Sequence, residues 1–382
     1  MTDRGRRGEP IRLGIIGTGL AVEKLHWPAL KRMPDRFRVA TFCDLERPTA
    51  EHFAGYSGAA MEEYTADYHA LLRRDDVDAV LISLPIPLNY AVTRAALEAG
   101  KEVICEKPSG ANEAEGRAFV ELAAAHSERT VLIAENWFYH DDLRLARLLL
   151  DEGRIGRVHL VAWRCVTQLV PRAGDFSGTP WRHRAEYEGG PHLDGGVHHI
   201  AQLRLLCGDV DRLSGEIQDA NAIFDGPSDL ALSLRFVSGA AGAYAASYPE
   251  LAVPQEPNEL RLYGTETTMT VGRGNVRIHL PDGSVEAYRV EGADGGYYNE
   301  FLNFAEAVTG GAPVVGTVAQ SYRNMEIVLK GIASAREGRA MSIEPRPEPL
   351  SASAVPLWRP GGATDLFEGL PTSVTREIER AG

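Results

Sequence analysis

Short apolar runs alternate with helical patterns over the first third of the chain. Ile11-Arg12-Leu13-Gly14-Ile15-Ile16 has the pattern of a buried strand and ends in Gly17-Thr18-Gly19, with a helix to follow through Leu30. Phe37–Cys43 is a second apolar run, and Val77–Leu84 a third, stopped by Pro85-Ile86-Pro87. A helix from Tyr90 to Ala99 closes on Gly100, a natural cap. Val103-Ile104-Cys105 then runs into Glu106-Lys107-Pro108. Proline has no N–H for a central ladder, so the strand must stop there and leave Lys107 at its carboxyl end. Asn112, with Glu115 three residues on, opens a helix to about His126, and Thr130–Glu135 is a further strand. Strands alternating with helices predict right-handed crossovers and an α/β, doubly wound parallel sheet.

The pattern changes after a helix over Asp141–Glu152 that ends at Gly153. Val158–Val166, Asp229–Val237, Ala241–Tyr248, Leu260–Gly264, Thr267–Val271, Val276–Leu280 and Ser284–Val290 all have strand character. Pro281-Asp282-Gly283 joins the last two as a hairpin. Strands without intervening helices predict an α+β domain with an open, mostly antiparallel sheet. Helices near Tyr297–Thr309 and Val318–Glu337 close it. The expected division is a first domain over 1–135, a second over 136–345, and a tail over 346–382. The tail, rich in proline and polar residues from Pro345, is expected to wrap the surface or be partly mobile.

Composition narrows the class. With 44% hydrophobic and 24% charged residues, the chain of 382 is globular and large enough for two domains. A net charge of −13 lacks the clustered lysine and arginine of a nucleic-acid binder. No apolar run reaches the roughly 18 residues of a membrane span, so neither nucleic acid nor membrane is an expected partner. Arg6-Arg7 resembles a twin-arginine pair, but the apolar run after it enters a glycine turn and does not continue as a signal peptide. Cys43, Cys105, Cys165 and Cys207 are far apart, and three lie in apolar runs. They point to buried thiols in a reducing compartment, and the expected location is cytoplasmic.

Two constellations carry chemistry. A strand, a Gly17-Thr18-Gly19 turn and a helix form the Rossmann dinucleotide context, in which the pyrophosphate sits on the helix N-terminus. Val22 stands where the third small residue is expected. Asp44, at the end of the second strand, suits the ribose hydroxyls of NAD, or simply caps the next helix. Arg47 is near enough for a 2′-phosphate, so the cofactor is NAD or NADP. The second constellation is Gly189-Gly190-Pro191-His192-Leu193-Asp194-Gly195-Gly196-Val197-His198-His199, with a helix from about Asp194 to Cys207. Asp194 and His198 then share a face one turn apart, as an acid beside a general base would. The competing readings are an N-cap with a core histidine, and a metal site from His192, Asp194, His198 and His199. No cysteine is near, and no metal is expected. Arg182 and Arg184 are candidates for a substrate phosphate or carboxylate, or for a solvated loop.

Together these residues resemble the Gfo/Idh/MocA family of nucleotide-dependent oxidoreductases over roughly Ile11–Ile343. The most specific parts are Gly17–Gly19, Val77-Asp78-Ala79-Val80, Gly100-Lys101 through Glu106-Lys107-Pro108, and Gly189–His198. The resemblance implies Lys107, Asp194 and His198 as the catalytic set, with His198 the acid–base on a hydroxyl and Lys107 on the reacting oxygen. It implies Gly17, Thr18, Gly19, Leu20, Asp44, Leu84, Pro85, Glu106 and Lys107 around the cofactor, and Asn136, Arg182 and His199 near the substrate. It also implies a homodimer or homotetramer formed through the second sheet. Three positions depart from the family pattern: Asn89 replaces a histidine, Phe138 an arginine and Ala201 an acid. The expected activity is an NAD(P)-dependent dehydrogenase or reductase of a sugar, sugar derivative or cyclitol. The alternatives are an NAD-dependent glycosidase working by transient oxidation, and a non-catalytic dinucleotide-binding regulator.

Overall fold

The computed structural model describes residues 9–251, 258–347, 349–350 and 354–380. The Arg6-Arg7 pair lies outside the described residues. Six strands build the first sheet: β1 Ile11–Ile16, β2 Phe37–Cys43, β3 Tyr64–Thr65, β4 Ala79–Ile82, β5 Glu102–Glu106 and β6 Val131–Ala134. Their order is 3-2-1-4-5-6 and every pairing is parallel. The order reverses between β1 and β4, which opens a crevice outside the carboxyl ends of those strands. β4 and β6 are buried at every position, as strands covered on both faces must be. The helix Glu113–Ala125 begins at its predicted cap, where Asn112 Oδ1 accepts the Glu115 N–H at 2.9 Å.

The second sheet holds β7 Val158–Val166, β8 Val210–Gln218, β9 Asp229–Phe236, β10 Ala241–Ser247, β11 Leu260–Gly264, β12 Thr268–Gly272, β13 Asn275–His279, β14 Val285–Glu291, β15 Met341–Ser342 and β16 Ser373–Glu379. The order is 15-8-9-10-7-11-12-13-14-16, and all pairings are antiparallel except β10 with β7. Strand β9 shows the two faces: Leu230, Leu232, Leu234 and Phe236 are buried, while Ala231, Ser233 and Arg235 point outward. The inner side packs on the helix Val318–Glu337. The hairpin at Pro281-Asp282-Gly283 forms as predicted, with the Gly283 N–H on the Leu280 carbonyl at 3.0 Å.

Two differences from the sequence pattern have clear causes. Strand β8 is missing from the predicted set because Gly215 sits where an apolar residue would mark its inner face. A Cβ there would lie 2.2 Å from the carbonyl oxygen of Gly331, so a close-packed helix backbone replaces a side chain. The tail does not simply wrap the surface. Its residues Ser373–Glu379 pair along β14 and become an edge of the sheet. Upstream, buried Arg144 donates to Asp141 Oδ1 (2.6 Å) and to the carbonyls of Leu366 (2.6 Å) and Trp358 (3.2 Å), with the Trp358 ring 4.7 Å away. Thr372 Oγ1 donates to the other Asp141 oxygen at 2.6 Å.

Candidate active site

The glycine turn sits at the carboxyl end of β1. Gly17 has φ +86, and a Cβ there would come within 2.2 Å of the Ser83 carbonyl and 2.9 Å of Leu84, so only glycine fits. At Gly19 a Cβ would meet nothing within 4 Å: this side of the turn is an open cradle. It leads into the π-helical turn Val22–His26 and the helix Trp27–Leu30. An open glycine cradle at a helix start suits a pyrophosphate, so the residues fit a dinucleotide. Leu20 is half-buried at the helix entrance, and Leu84 and Pro85 form the half-buried wall after β4. Val22, in the place of a small residue, is buried in the core. Asp44 Oδ2 accepts from the Thr18 N–H (2.8 Å) and Thr18 Oγ1 (3.0 Å), tying β2 to the turn. Its other oxygen accepts the Glu46 N–H at 3.0 Å, but the N-cap of the next helix is Glu46 and no side chain caps it, so Asp44 is not a helix cap. Arg47 is largely exposed and bonds Glu51 at 2.8 Å.

Lys107 leaves the end of β5 through a cis Lys107–Pro108 bond. Asn89, which departs from the family pattern, does not face the cleft. It is buried beneath it, and its amide donates to the carbonyls of Glu106 (2.9 Å) and Pro108 (3.4 Å), bracketing the lysine. Glu106 turns the other way and meets buried His26 Nε2 at 2.7 Å. Burial pushes the Glu106 carboxyl up, but the His26 bond and the nearby charges outweigh it and hold it below its ordinary value. The Lys107 ammonium reaches Asp194 Oδ1 at 2.8 Å. Arg182 Nε donates to Asp194 Oδ2 at 2.6 Å, with the guanidinium 4.1 Å from the Trp181 ring. Burial would raise the Asp194 carboxyl. The two cations and their hydrogen bonds prevail and keep it well below the usual carboxylate range.

The helix Val197–Cys207 continues from a π-helical turn over His192–Gly196, so it opens two residues before the expected start. Asp194 and His198 lie on successive turns as predicted, yet they do not pair. The Asp194 oxygens go to two cations, which outcompete a neutral imidazole. The acid on His198 is Glu135, with Oε1 2.5 Å from Nδ1. Trp137 stacks on the His198 ring at 5.6 Å and 12°. His199 faces the sheet: its ring nitrogens are 2.8 Å from the Tyr244 hydroxyl and 3.3 Å from Cys165 Sγ. Burial pulls His199 down to about 3, as expected for an imidazole packed against the sheet between Tyr244 and Cys165. His192 is also buried and held down to about 4, beside Tyr248. The four candidate metal ligands thus face four different surroundings. Among the described residues no cluster of three histidine, cysteine, aspartate or glutamate side chains could hold a metal. Asn136 is buried, with its amide on the Gly295 carbonyl at 2.7 Å. Sequence reasoning missed Glu135, Trp137 and His26 at this site. The one signal for Glu135 was an acid at the end of a predicted parallel strand, where such sheets bind ligands.

A glycine cradle at one strand end of a doubly wound sheet, and at another a lysine paired with an aspartate one turn before a helix histidine, define a nucleotide-dependent oxidoreductase. The chain belongs to the Gfo/Idh/MocA family: residues 11–134 match the oxidoreductase family with an NAD-binding Rossmann fold, and residues 143–270 match the GFO/IDH/MocA C-terminal domain. It is therefore an oxidoreductase that binds NAD. The chain is 30% identical over 299 residues to dTDP-3,4-didehydro-2,6-dideoxy-alpha-D-glucose 3-reductase from Streptomyces violaceoruber, covering 72% of this chain and 79% of that one. An oxidoreductase crystal structure from Thermotoga maritima superposes with TM-score 0.80 at 30% identity, covering 87% and 98% of the two chains. Levoglucosan dehydrogenase in complex with NADH and levoglucosan shares the fold, with TM-score 0.76 at 21% identity over 88% of this chain and 100% of that one.

Proposed function

We propose that the protein interconverts a hydroxyl and a carbonyl on a sugar, sugar derivative or cyclitol, with His198 as the acid–base. The observation that carries this reading is Lys107 of the first sheet gripping Asp194 at 2.8 Å, one helical turn before His198. Oxidising an alcohol requires a place for the hydroxyl proton. His198 takes it through the ring nitrogen that Glu135 leaves free, and returns it in the reverse direction. Lys107 holds positive charge beside the reacting oxygen, and Asp194 and Arg182 keep the lysine in place. When bound, the nicotinamide accepts or donates the hydride. The turn Gly17-Thr18-Gly19 with Leu20, Asp44, Leu84, Pro85 and Lys107 would hold the dinucleotide, while the expected contact Glu106 turns instead to His26. Asp44 favours NAD over NADP, because its carboxylate would repel a 2′-phosphate and Arg47 is already paired with Glu51. The dTDP-sugar 3-reductase relative supports a sugar-like substrate.

Incubating the protein with NAD or NADP and a panel of sugars, cyclitols and sugar nucleotides tests the reading through the reduced-nicotinamide absorbance. Sugar release with no net NADH would sink it. The reading extends to assembly and location. The outward face of the second sheet carries small side chains at Ser214, Ala231, Ser233 and Ala243, which suits packing against a second copy as a homodimer or homotetramer. Light scattering decides between these and a monomer. All four cysteines are buried and unpaired, which agrees with the cytoplasm, and fractionation checks it. Among the described residues no helix is long and apolar enough to cross a membrane.

A further inference from the structure

An imidazole that is to take a proton through Nε2 must carry its own proton on Nδ1, and the group bonded to Nδ1 decides this. For His198 that group is Glu135, whose carboxylate oxygen lies 2.5 Å from Nδ1. An ionised carboxylate only accepts, so the ring nitrogen donates. Glu135 is 1% exposed, and the same oxygen takes the Trp137 backbone N–H at 3.4 Å. The Trp137 ring in turn lies parallel to the imidazole. Both the tautomer and the plane of His198 are therefore set by one short segment, Glu135-Asn136-Trp137, just past the end of β6. Asp194, the acid expected from spacing, already balances two cations at 2.8 and 2.6 Å. It has little left for an imidazolium.

We propose that Glu135 is the positioning acid of His198, holding its Nδ1–H tautomer and balancing the imidazolium charge, while Asp194 positions Lys107 and Arg182. This rests on His198 being the acid–base of the reaction proposed above. In the oxidative direction the substrate O–H bond breaks and an N–H bond forms at Nε2. Nδ1 keeps its proton throughout, and the new positive charge faces Glu135. The contact joins the end of the first sheet to a helix on the second, so the base is complete only when the two halves are docked.

The test uses the full chain loaded with NAD and three variants: Glu135→Gln, Glu135→Asp and Asp194→Asn. Glutamine keeps the volume but can present either its oxygen or its amide to Nδ1, so it no longer selects a tautomer. Glu135→Gln should lower kcat by roughly 10²–10⁴-fold with the sugar KM nearly unchanged. Glu135→Asp should recover part of the loss, and Asp194→Asn should lower turnover through Lys107 while leaving the His198 tautomer unchanged. Independently of turnover, ring 15N NMR should show neutral His198 protonated at Nδ1 in the wild type and in Asp194→Asn, and mixed in Glu135→Gln. A wild-type ring protonated at Nε2 overturns the proposal, as does a Glu135→Gln kcat within tenfold of wild type. If the wild type oxidises none of the sugars, cyclitols and sugar nucleotides with NAD while the tautomer follows Glu135, the functional reading fails and the pairing stands.

Discussion

Glu300 is a buried carboxyl whose burial and acidic neighbours tie the protein's stability to pH. It lies in the first turn of the helix Tyr297–Gly310, is fully buried, and neither carboxyl oxygen has a hydrogen-bond partner among the described residues. Tyr297 and Phe301, on the same helix face, pack edge-on against His26 at 5.9 and 5.7 Å. Burial first, then the charges of Glu106, Glu135 and Asp294, push the carboxyl well above its ordinary 4.5. Glu300 therefore keeps its proton to higher pH in the folded protein than in the unfolded chain. Above 4.5 the unfolded chain has lost a proton that the folded chain retains. Stability must then fall as pH rises, by about 1 kcal/mol per pH unit, until Glu300 ionises in the fold as well. Domains are stable by only about 5–15 kcal/mol, so the effect is measurable. Glu300→Gln removes the titration and keeps the shape. Urea unfolding of both proteins from about pH 6 to about pH 8 should show the variant gaining on the wild type as pH rises, at a slope of up to about 1 kcal/mol per pH unit. The amide's own unpartnered N–H adds an offset that does not change with pH, so the slope decides. A stability difference that stays constant across the range would refute the argument.

Three further outcomes are expected. Lys107→Ala and His198→Ala should each lower turnover by roughly 10²–10⁴-fold, measured by NADH formation; a loss under tenfold in both would contradict their roles. Asp44→Ala should weaken NAD binding by calorimetry and narrow the preference over NADP, since it removes the carboxylate that also holds Thr18 at 2.8 Å; equal NAD affinity in variant and wild type would exclude the ribose role. Arg144→Ala leaves Asp141 buried without its cation and should cost about 3–5 kcal/mol. It should also release the chain beyond Trp358 to limited proteolysis, and a tail as protected as in the wild type would show that the β14–β16 pairing holds it alone.

Much of the fold was legible because its signals are local. A parallel strand buried on both faces must be an apolar run, so β1 and β2 appear in the sequence with the bounds they have in the structure. The cap at Asn112, the hairpin at Asp282-Gly283 and the strand stop at Pro108 each depend on a few neighbouring residues. Lys107 at a strand end and the cradle at Gly17–Gly19 were readable for the same reason. Where a strand owes its existence to a distant neighbour, the pattern is silent. Gly215 in β8 answers to the backbone of Gly331, and Ser373–Glu379 has no apolar face, only an edge to join.

The site divides in the same way. Spacing alone determined that Asp194 and His198 sit on successive turns, because helical periodicity is a property of the chain. It could not determine which acid meets the imidazole, because that contest is settled by charges from elsewhere in the chain. Lys107 and Arg182 claim Asp194, and Glu135, at the end of β6, is left to pair with His198. His199 and Asn89 were moved out of the cleft by the same kind of long-range contact, one to Tyr244 and Cys165, the other to the carbonyls around Lys107. The two sheets, the glycine turn and the residue types of the chemistry follow from local pattern along the chain. Their pairing follows from packing, since an ion pair forms with whichever partner the fold brings within reach, at whatever distance along the chain.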